Sequence, residues 1–529
     1  MKRYLVFRLT ILAIVFVALT AQASFRRVPL DEMVSQNPVV VAGKIERIKR
    51  ATPSKEETGR PERLYDIAYI KVAKVLKNEL EDSPIQPGAE IPLSMPSLHG
   101  PRRSTDISYD EGTEGIWILR YSHDVFWAGH PMALQPLSKE QEVIALLGTL
   151  QSNAQAVVTS NSKFALDLYA KLKDDPKVKE AGGNLFFSPY SISTALAMTW
   201  AGARGQTEKQ MAQVLHFSLP QNQLHRAFGS LEQQFNEGDK NGGYELNVAN
   251  ALWGQKGEPF RKEFIDLVGK NYGAGLRELD FVGAEQAEKA RKIINAWVEK
   301  KTKEKIKGLI GRSVLDSATL VLTNAIYFKG DWATEFDKKD TRDAPFKISA
   351  DKKIIVPMMY LTKEFKYWAD EHFQIIELPY KRKHLSMIIL LPRKIDGLED
   401  LEKTLTLKNM NTWLAELRKQ KVSVFLPKFK ITWGTFELKD ILAEMGLPLF
   451  GDFTGISGDP KLFISNILHK AFVAVDEKGT EAAAAAAVVM LKSAATVFCA
   501  DHPFVFIIKD NRSGSILFMG KLVNPAMQG

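Results

Sequence analysis

The residue types able to break or make a bond are scattered along this chain. Nine histidines and 62 carboxylates occur in no order that marks a nucleophile, a base and an orienting acid. There is no G-x-x-x-x-G-K-[ST] phosphate loop, no H-E-x-x-H zinc helix and no G-x-S-x-G nucleophile elbow. His99, His123 and His130 sit in a strand-rich region without a carboxylate constellation and read as loop or core residues. The lone Cys499 can neither close an internal disulfide nor form a thiolate zinc site. No catalytic residue, metal or cofactor is assigned, and an enzyme is not expected. One segment offers a different chemistry, that of something acted upon. It reads Glu477-Lys478-Gly479-Thr480-Glu481, then Ala482, Ala483, Ala484, Ala485, Ala486 and Ala487, then Val488 to Leu491, then Lys492-Ser493.

Propensity alone makes the alanine run a helix. Its flanks are strand-like, with Phe472 to Val475 before it and Phe504 to Ile508 after it. A connection of about two dozen residues between strands is long and usually functional. The segment therefore reads as a latent strand. Thr480, Ala482, Ala484, Ala486, Val488 and Met490 share one parity, and Glu481 falls on the other, where it would face water. Small side chains suit a strand that must slide between formed neighbours, and a buried charge there would be costly. Gly479 supplies backbone freedom ahead of it.

On these residues the chain resembles the inhibitory members of the serpin family of protease inhibitors. Glu477 to Ala483 is similar to the family's hinge, and Asp501-His502-Pro503-Phe504 with Phe518 to Pro525 resembles its C-terminal signature. Asn184 to Ile192 and Asn324 to Trp332 are similar to two further family segments, in family order. The resemblance covers about 158–525 and implies an α+β fold. That fold has a large central sheet, additional sheets, about nine helices and an exposed reactive loop. It implies a suicide-substrate mechanism. A serine protease attacks the loop and forms an acyl-enzyme. The cleaved loop then inserts into the central sheet and traps the enzyme as a covalent complex. Carried over by position, Glu477 is the hinge glutamate with Lys428 as its ion-pair partner. Ser188, Ser191, Asn324 and His469 match the polar cluster that controls sheet opening, and Trp332 the point of first insertion. Family spacing puts the cleaved bond at Ser493–Ala494, or at Lys492–Ser493 if the loop is one residue shorter. The latter suits a trypsin-like pocket and is preferred. The alternatives are a non-inhibitory carrier or chaperone, a regulator of the N-terminal region, and a cysteine-protease inhibitor. Bulky or charged hinge residues, common in non-inhibitory members, are absent between Ala482 and Ala487.

The rest of the chain sets the frame. Its 529 residues are 45% hydrophobic and 25% charged, which excludes a disordered or low-complexity chain. Basic Lys2, Arg3 and Arg8, an apolar run Leu9 to Leu19, and Ala21-Gln22-Ala23 predict a secretory leader over 1–23. Secretion to an extracellular or periplasmic space follows as an expectation, with no membrane span after cleavage and a monomer in solution. Residues 24–150 read as a small all-β domain, an OB-like barrel in shape. Ser138 and Gln141 suggest a capping box for a closing helix. The polar stretch from Gln151-Ser152-Asn153 through Ser160-Asn161-Ser162 reads as a linker, placed at 151–157, to a body over 158–527 whose first helix opens near Phe164. Ala287 to Ile310 reads as one long basic helix. Its Lys300, Lys301, Lys303, Lys305 and Lys307 are taken as a solvated face, with an acidic polymer as the alternative. The net charge of +9 calls for no nucleic-acid partner, and no cluster is clear enough to name a polyanion activator.

Overall fold

The computed structural model describes residues 28–51, 65–80, 84–97, 106–122, 124–240, 244–273, 275–312, 314–316, 318–479 and 496–527. The expected leader over 1–23, with its cleavage site, lies outside the described residues. So do Thr480, Glu481, Ala482 to Ala486, Lys492, Ser493, His99 and His123. The chain divides into two compact units, Met1–Ser152 and Asn153–Gly529.

In the first unit, β1 (Val39–Lys49), β2 (Tyr65–Asn78), β3 (Glu90–Pro96), β4 (Glu114–Ser122), β5 (Val125–Trp127) and the short β6 (Leu134–Gln135) follow the order β1-β2-β3-β5-β4-β6, and a β1–β4 pairing closes the sheet into a barrel. Closure pairs β1 on both sides, with β2 and with β4, so it presents no open edge. Alternation does the rest. Along β2 the residues Asp66, Ala68, Ile70 and Val72 turn inward, and Trp117, Leu93 and Phe126 complete the interior. Trp117 donates its indole N–H to the Gly43 carbonyl, 2.9 Å away, so the buried ring keeps its polar edge satisfied. Val40, Ile116 and Ile118 form the outer face, covered by Met33 and Val34 of helix α1 (Leu30–Gln36) and by Val143. This closed barrel is the OB-like all-β domain expected from the strand spacing.

The residues read as a linker are helical. Helix α2 runs from Glu140 to Leu172 and includes all of 151–157. The polar residues that suggested a break are instead caught. Ser160 donates to the His216 carbonyl at 2.7 Å, Asn161 to the Ile516 carbonyl at 2.9 Å, and Ser162 to Val158 one turn back. Side chains bonded in this way no longer compete with the helix backbone. A 3-10 turn, Leu137–Lys139, precedes α2 in place of a capping box.

The second unit holds two sheets and the remaining helices. The five-stranded sheet has the order β16-β17-β10-β8-β9, built from β8 (Tyr244–Gln255), β9 (Leu276–Leu279), β10 (Leu320–Gly330), β16 (Phe429–Glu437) and β17 (Ile464–Val475). The nine-stranded sheet joins β7 (Leu185–Phe187), β11 (Arg342–Lys347), β12 (Lys353–Ala369), β13 (Phe373–Pro379), β14 (Leu385–Pro392), β15 (Arg418–Pro427), β18 (Thr496–Cys499), β19 (Phe504–Asp510) and β20 (Ile516–Leu522). The central strands of the shorter sheet, β10 and β17, are buried on both faces, so they carry long apolar runs. Val321, Ala325, Tyr327, Leu468 and Phe472 pack beneath helix α4 (Ala284–Lys301). Leu320, Ile326, Phe328, Ile467 and Ala471 face the main core with helix α3 (Pro189–Trp200). Helix α4 ends at Lys301, nine residues short of the expected Ile310. Lys303 and Glu304 adopt φ of 48° and 61°, which no α-helix continues.

Candidate functional site

The pairing of β10 with β17 is parallel, from Leu320 opposite Ile464 to Tyr327 opposite Phe472. Parallel ladders are the weaker kind per residue. The chain leaves β17 at Val475, turns at Asp476–Gly479, and is next described at β18 in the other sheet. A segment attached to the end of β17 can only return antiparallel to it. Lying between β10 and β17, it would exchange one parallel ladder for two antiparallel ones. The seam's geometry thus provides a strand-shaped vacancy in topology, with apolar cores on both faces.

The hinge end of this seam is tightly held. The Glu477 carboxylate is 1% exposed and accepts from Lys428 Nζ at 2.8 and 3.1 Å and from Thr341 Oγ1 at 2.9 Å. Burial pushes this carboxyl up, but the lysine, the threonine and backbone donation outweigh it and hold it below the usual glutamate range. Trp332 docks the turn from the side. Its backbone N–H donates to the Lys478 carbonyl at 2.7 Å and its indole N–H to the Asp476 carbonyl at 2.9 Å. The ring stacks on Tyr380 with centroids 4.6 Å apart. Burial pushes the neighbouring Asp476 carboxyl up to about 6. A Cβ on Gly479 would lie 2.0 Å from the Gly330 carbonyl oxygen, so only glycine fits against β10 here.

Midway along the seam lies a second polar group. Register places Asn250, Asn324 and His469 side by side across β8, β10 and β17. Asn324 Nδ2 donates to Ser191 Oγ and to Asn250 Oδ1, both at 2.6 Å. Its Oδ1 accepts from His469 Nδ1. His469 Nε2 accepts the Ser188 backbone N–H at 3.3 Å. Ser188 caps α3 through Ser191 N–H and donates to the Leu517 carbonyl at 2.6 Å. One imidazole nitrogen donating and the other accepting describes a neutral ring. Burial agrees, pushing its pKa down to about 3. The five expected residues Ser188, Ser191, Asn324, His469 and Trp332 therefore line the seam, and Lys428 meets Glu477. Asn250 and Thr341 were missed. Each is a single polar residue within or beside a strand, and no spacing in the sequence links it to its partner.

His469 yields a pH prediction. The native ring stays neutral while an unfolded histidine protonates below about 6.5, so its contribution to stability is lost as pH falls from there toward about 3. The advantage of wild type over His469→Asn in urea unfolding is expected to shrink by about 2 kcal/mol between pH 6.5 and 5. A difference independent of pH would contradict the neutral buried ring.

The profile of the serpin family, described as serine protease inhibitor, matches residues 159–525. The leukocyte elastase inhibitor of Sus scrofa is 44% identical over 382 residues, covering 69% of this chain and 98% of that protein. Uncleaved ovalbumin superposes with a TM-score of 0.62 at 31% identity, covering 70% of this chain and all of ovalbumin. Serpin48 of the insect Tenebrio molitor gives a TM-score of 0.61 at 33% identity, over 70% and 98% of the two chains. The matched stretch contains the parallel seam, the buried hinge glutamate and the polar group between them, and on this match the chain belongs to the serpin family.

Proposed function

We propose that this serpin is an irreversible suicide-substrate inhibitor of serine endopeptidases. The observation that supports this most is the parallel β10–β17 seam, with β17 running directly into a hinge followed by six alanines. The protease's serine attacks the carbonyl of the scissile residue, and the amine of the next residue leaves. The hinge then feeds the freed strand into the seam, and the acyl-enzyme is carried along before water can hydrolyse it. The native state is a kinetic trap, and insertion releases its stored strain. We place the scissile bond at Lys492–Ser493, which a trypsin-like pocket selects through its buried carboxylate. The protein acts as a secreted monomer after removal of residues 1–23. A second reading puts the bond at Ser493–Ala494, and the name of the related leukocyte elastase inhibitors favours it, because elastase pockets are small.

Incubating the mature protein with trypsin-, elastase-, subtilisin- and papain-type proteases tests both. A complex that survives boiling in detergent is expected with a trypsin-type enzyme, with release of a peptide beginning at Ser493. A peptide beginning at Ala494 selects the second reading. A stable complex with the papain type alone assigns the cysteine class. Cleavage without any stable complex rejects inhibition.

A further inference from the structure

The hinge turn holds two buried carboxylates in succession, Asp476 at 6% and Glu477 at 1% exposure. One ammonium serves them. Lys428 stands against Glu477 at 2.8 and 3.1 Å, and among the described residues no ion pair reaches Asp476. The Asp476 side chain closes the turn instead. Its Oδ1 accepts the Lys478 N–H at 2.9 Å. The Asp476 N–H donates to the Gly479 carbonyl at 2.8 Å, and the Gly479 N–H to the Asp476 carbonyl at 3.2 Å. That same carbonyl accepts the Trp332 indole at 2.9 Å. The charges on neighbouring elements are engaged elsewhere. Lys381 holds Asp331 and Glu335 beyond the end of β10, at 3.0 and 3.2 Å. Arg342 donates to the Lys339 and Thr341 carbonyls, Lys430 of β16 stands over the Phe472 ring, and the Lys478 side chain is exposed.

A buried carboxylate beside a second one, with the ammonium already taken, resists ionisation. We propose that Asp476 is an ionisable latch of the hinge: its negative charge at neutral pH weakens the closed turn and hastens loop insertion, and its protonation in mild acid holds the turn shut. The turn itself does not demand an aspartate, since asparagine or serine can accept the same N–H. What aspartate adds is the charge. Burial first, and then the Glu477 charge, lift this carboxyl to about 6 in the closed turn, against about 3.9 in water. Protonation therefore favours the closed turn. That stabilisation is whole below about 3.9 and is lost as pH rises through about 6. At neutral pH the closed turn carries the cost of the buried charge, and release from Trp332 returns the charge to water. The proposal rests on loop insertion as the mode of inhibition.

The test compares the full mature chain with Asp476→Asn and Asp476→Ser, two neutral variants that keep an acceptor for the Lys478 N–H. Each protein is held at one temperature at pH values from 5 to 7.5. Residual inhibition of a trypsin-type protease is then assayed at pH 7.5 throughout, which gives the half-life of the native state at each holding pH. At pH 7.5 the variants are expected to outlast wild type at least about tenfold, and this ratio should shrink about five- to tenfold by pH 5. His469 also responds to pH in the seam, but all three proteins carry it, so its effect cancels in the ratio. Equal half-lives at pH 7.5, or a ratio that stays constant with pH, overturns the proposal. If wild type traps no protease at any pH, the inhibitor reading fails on its own. The charge is then read from urea unfolding. There Asp476→Asn must exceed wild type in midpoint at pH 7.5 and lose most of that margin by pH 5, or the proposal falls.

Discussion

Replacing Thr480 with arginine is expected to turn this serpin from a trap into a substrate. Thr480 follows Gly479, whose backbone is bridged to Asp331 at the end of β10. On the proposed insertion it is the first residue to enter the seam. Both faces of the seam there are closed, by Tyr327 and Phe472 on one side and by Phe328 and Ala471 on the other. The rings and methyl groups lining that space offer an arginine no hydrogen bond, and burying an uncompensated charge costs several kcal/mol. Each ~1.4 kcal/mol added to the insertion barrier slows insertion about tenfold. Deacylation of the protease is unaffected, so hydrolysis wins the race. Cleavage should continue at the wild-type rate, while the detergent-stable complex falls by about two orders of magnitude or more. Thr480→Val keeps the parity without the charge and should remain an inhibitor. Glu481→Arg, on the opposite parity, should also retain most activity. Full inhibition by Thr480→Arg would sink the assignment of inward and outward positions along the loop.

What was legible in the sequence was what local patterning controls. The barrel strands announced themselves through alternation, as at Asp66, Ala68, Ile70 and Val72. Glu477 and Gly479 drew notice because the alanines after them break the local pattern, and both lie at the end of the β10–β17 seam. Less visible were features set by distant partners. Ser160, Asn161 and Ser162 looked like a linker because their bonds to His216 and Ile516 cross the fold. Asn250 belongs with Asn324 and His469 only once β8, β10 and β17 are in register. Lys303 to Lys307 read as a solvated helix face, whereas the helix ends at Lys301 and the Lys307 carbonyl accepts from Lys470 of β17.

Lys428→Met is expected to shorten the lifetime of the native state by about two to three orders of magnitude. The Glu477 carboxylate is buried and depends on two side chains, Lys428 and Thr341. Removing the lysine leaves a buried charge with neutral donors only, Thr341 and a backbone N–H, a change that costs about 3–5 kcal/mol. That cost falls on the closed hinge, since the charge reaches water once the turn at Asp476–Gly479 comes away from Trp332. The native hinge is thus raised in energy relative to the barrier for release, and about 1.4 kcal/mol corresponds to a tenfold change in rate. Loss of inhibitory activity over time at fixed temperature measures the effect directly. The control is the pair Lys428→Met with Glu477→Gln. It removes both charges, and a neutral amide can still accept from Thr341, so most of the lifetime should return. If the double variant is as short-lived as the single one, the ion pair is not what holds the hinge. The burden would then rest on Trp332, whose two hydrogen bonds to the turn backbone are untouched by either substitution.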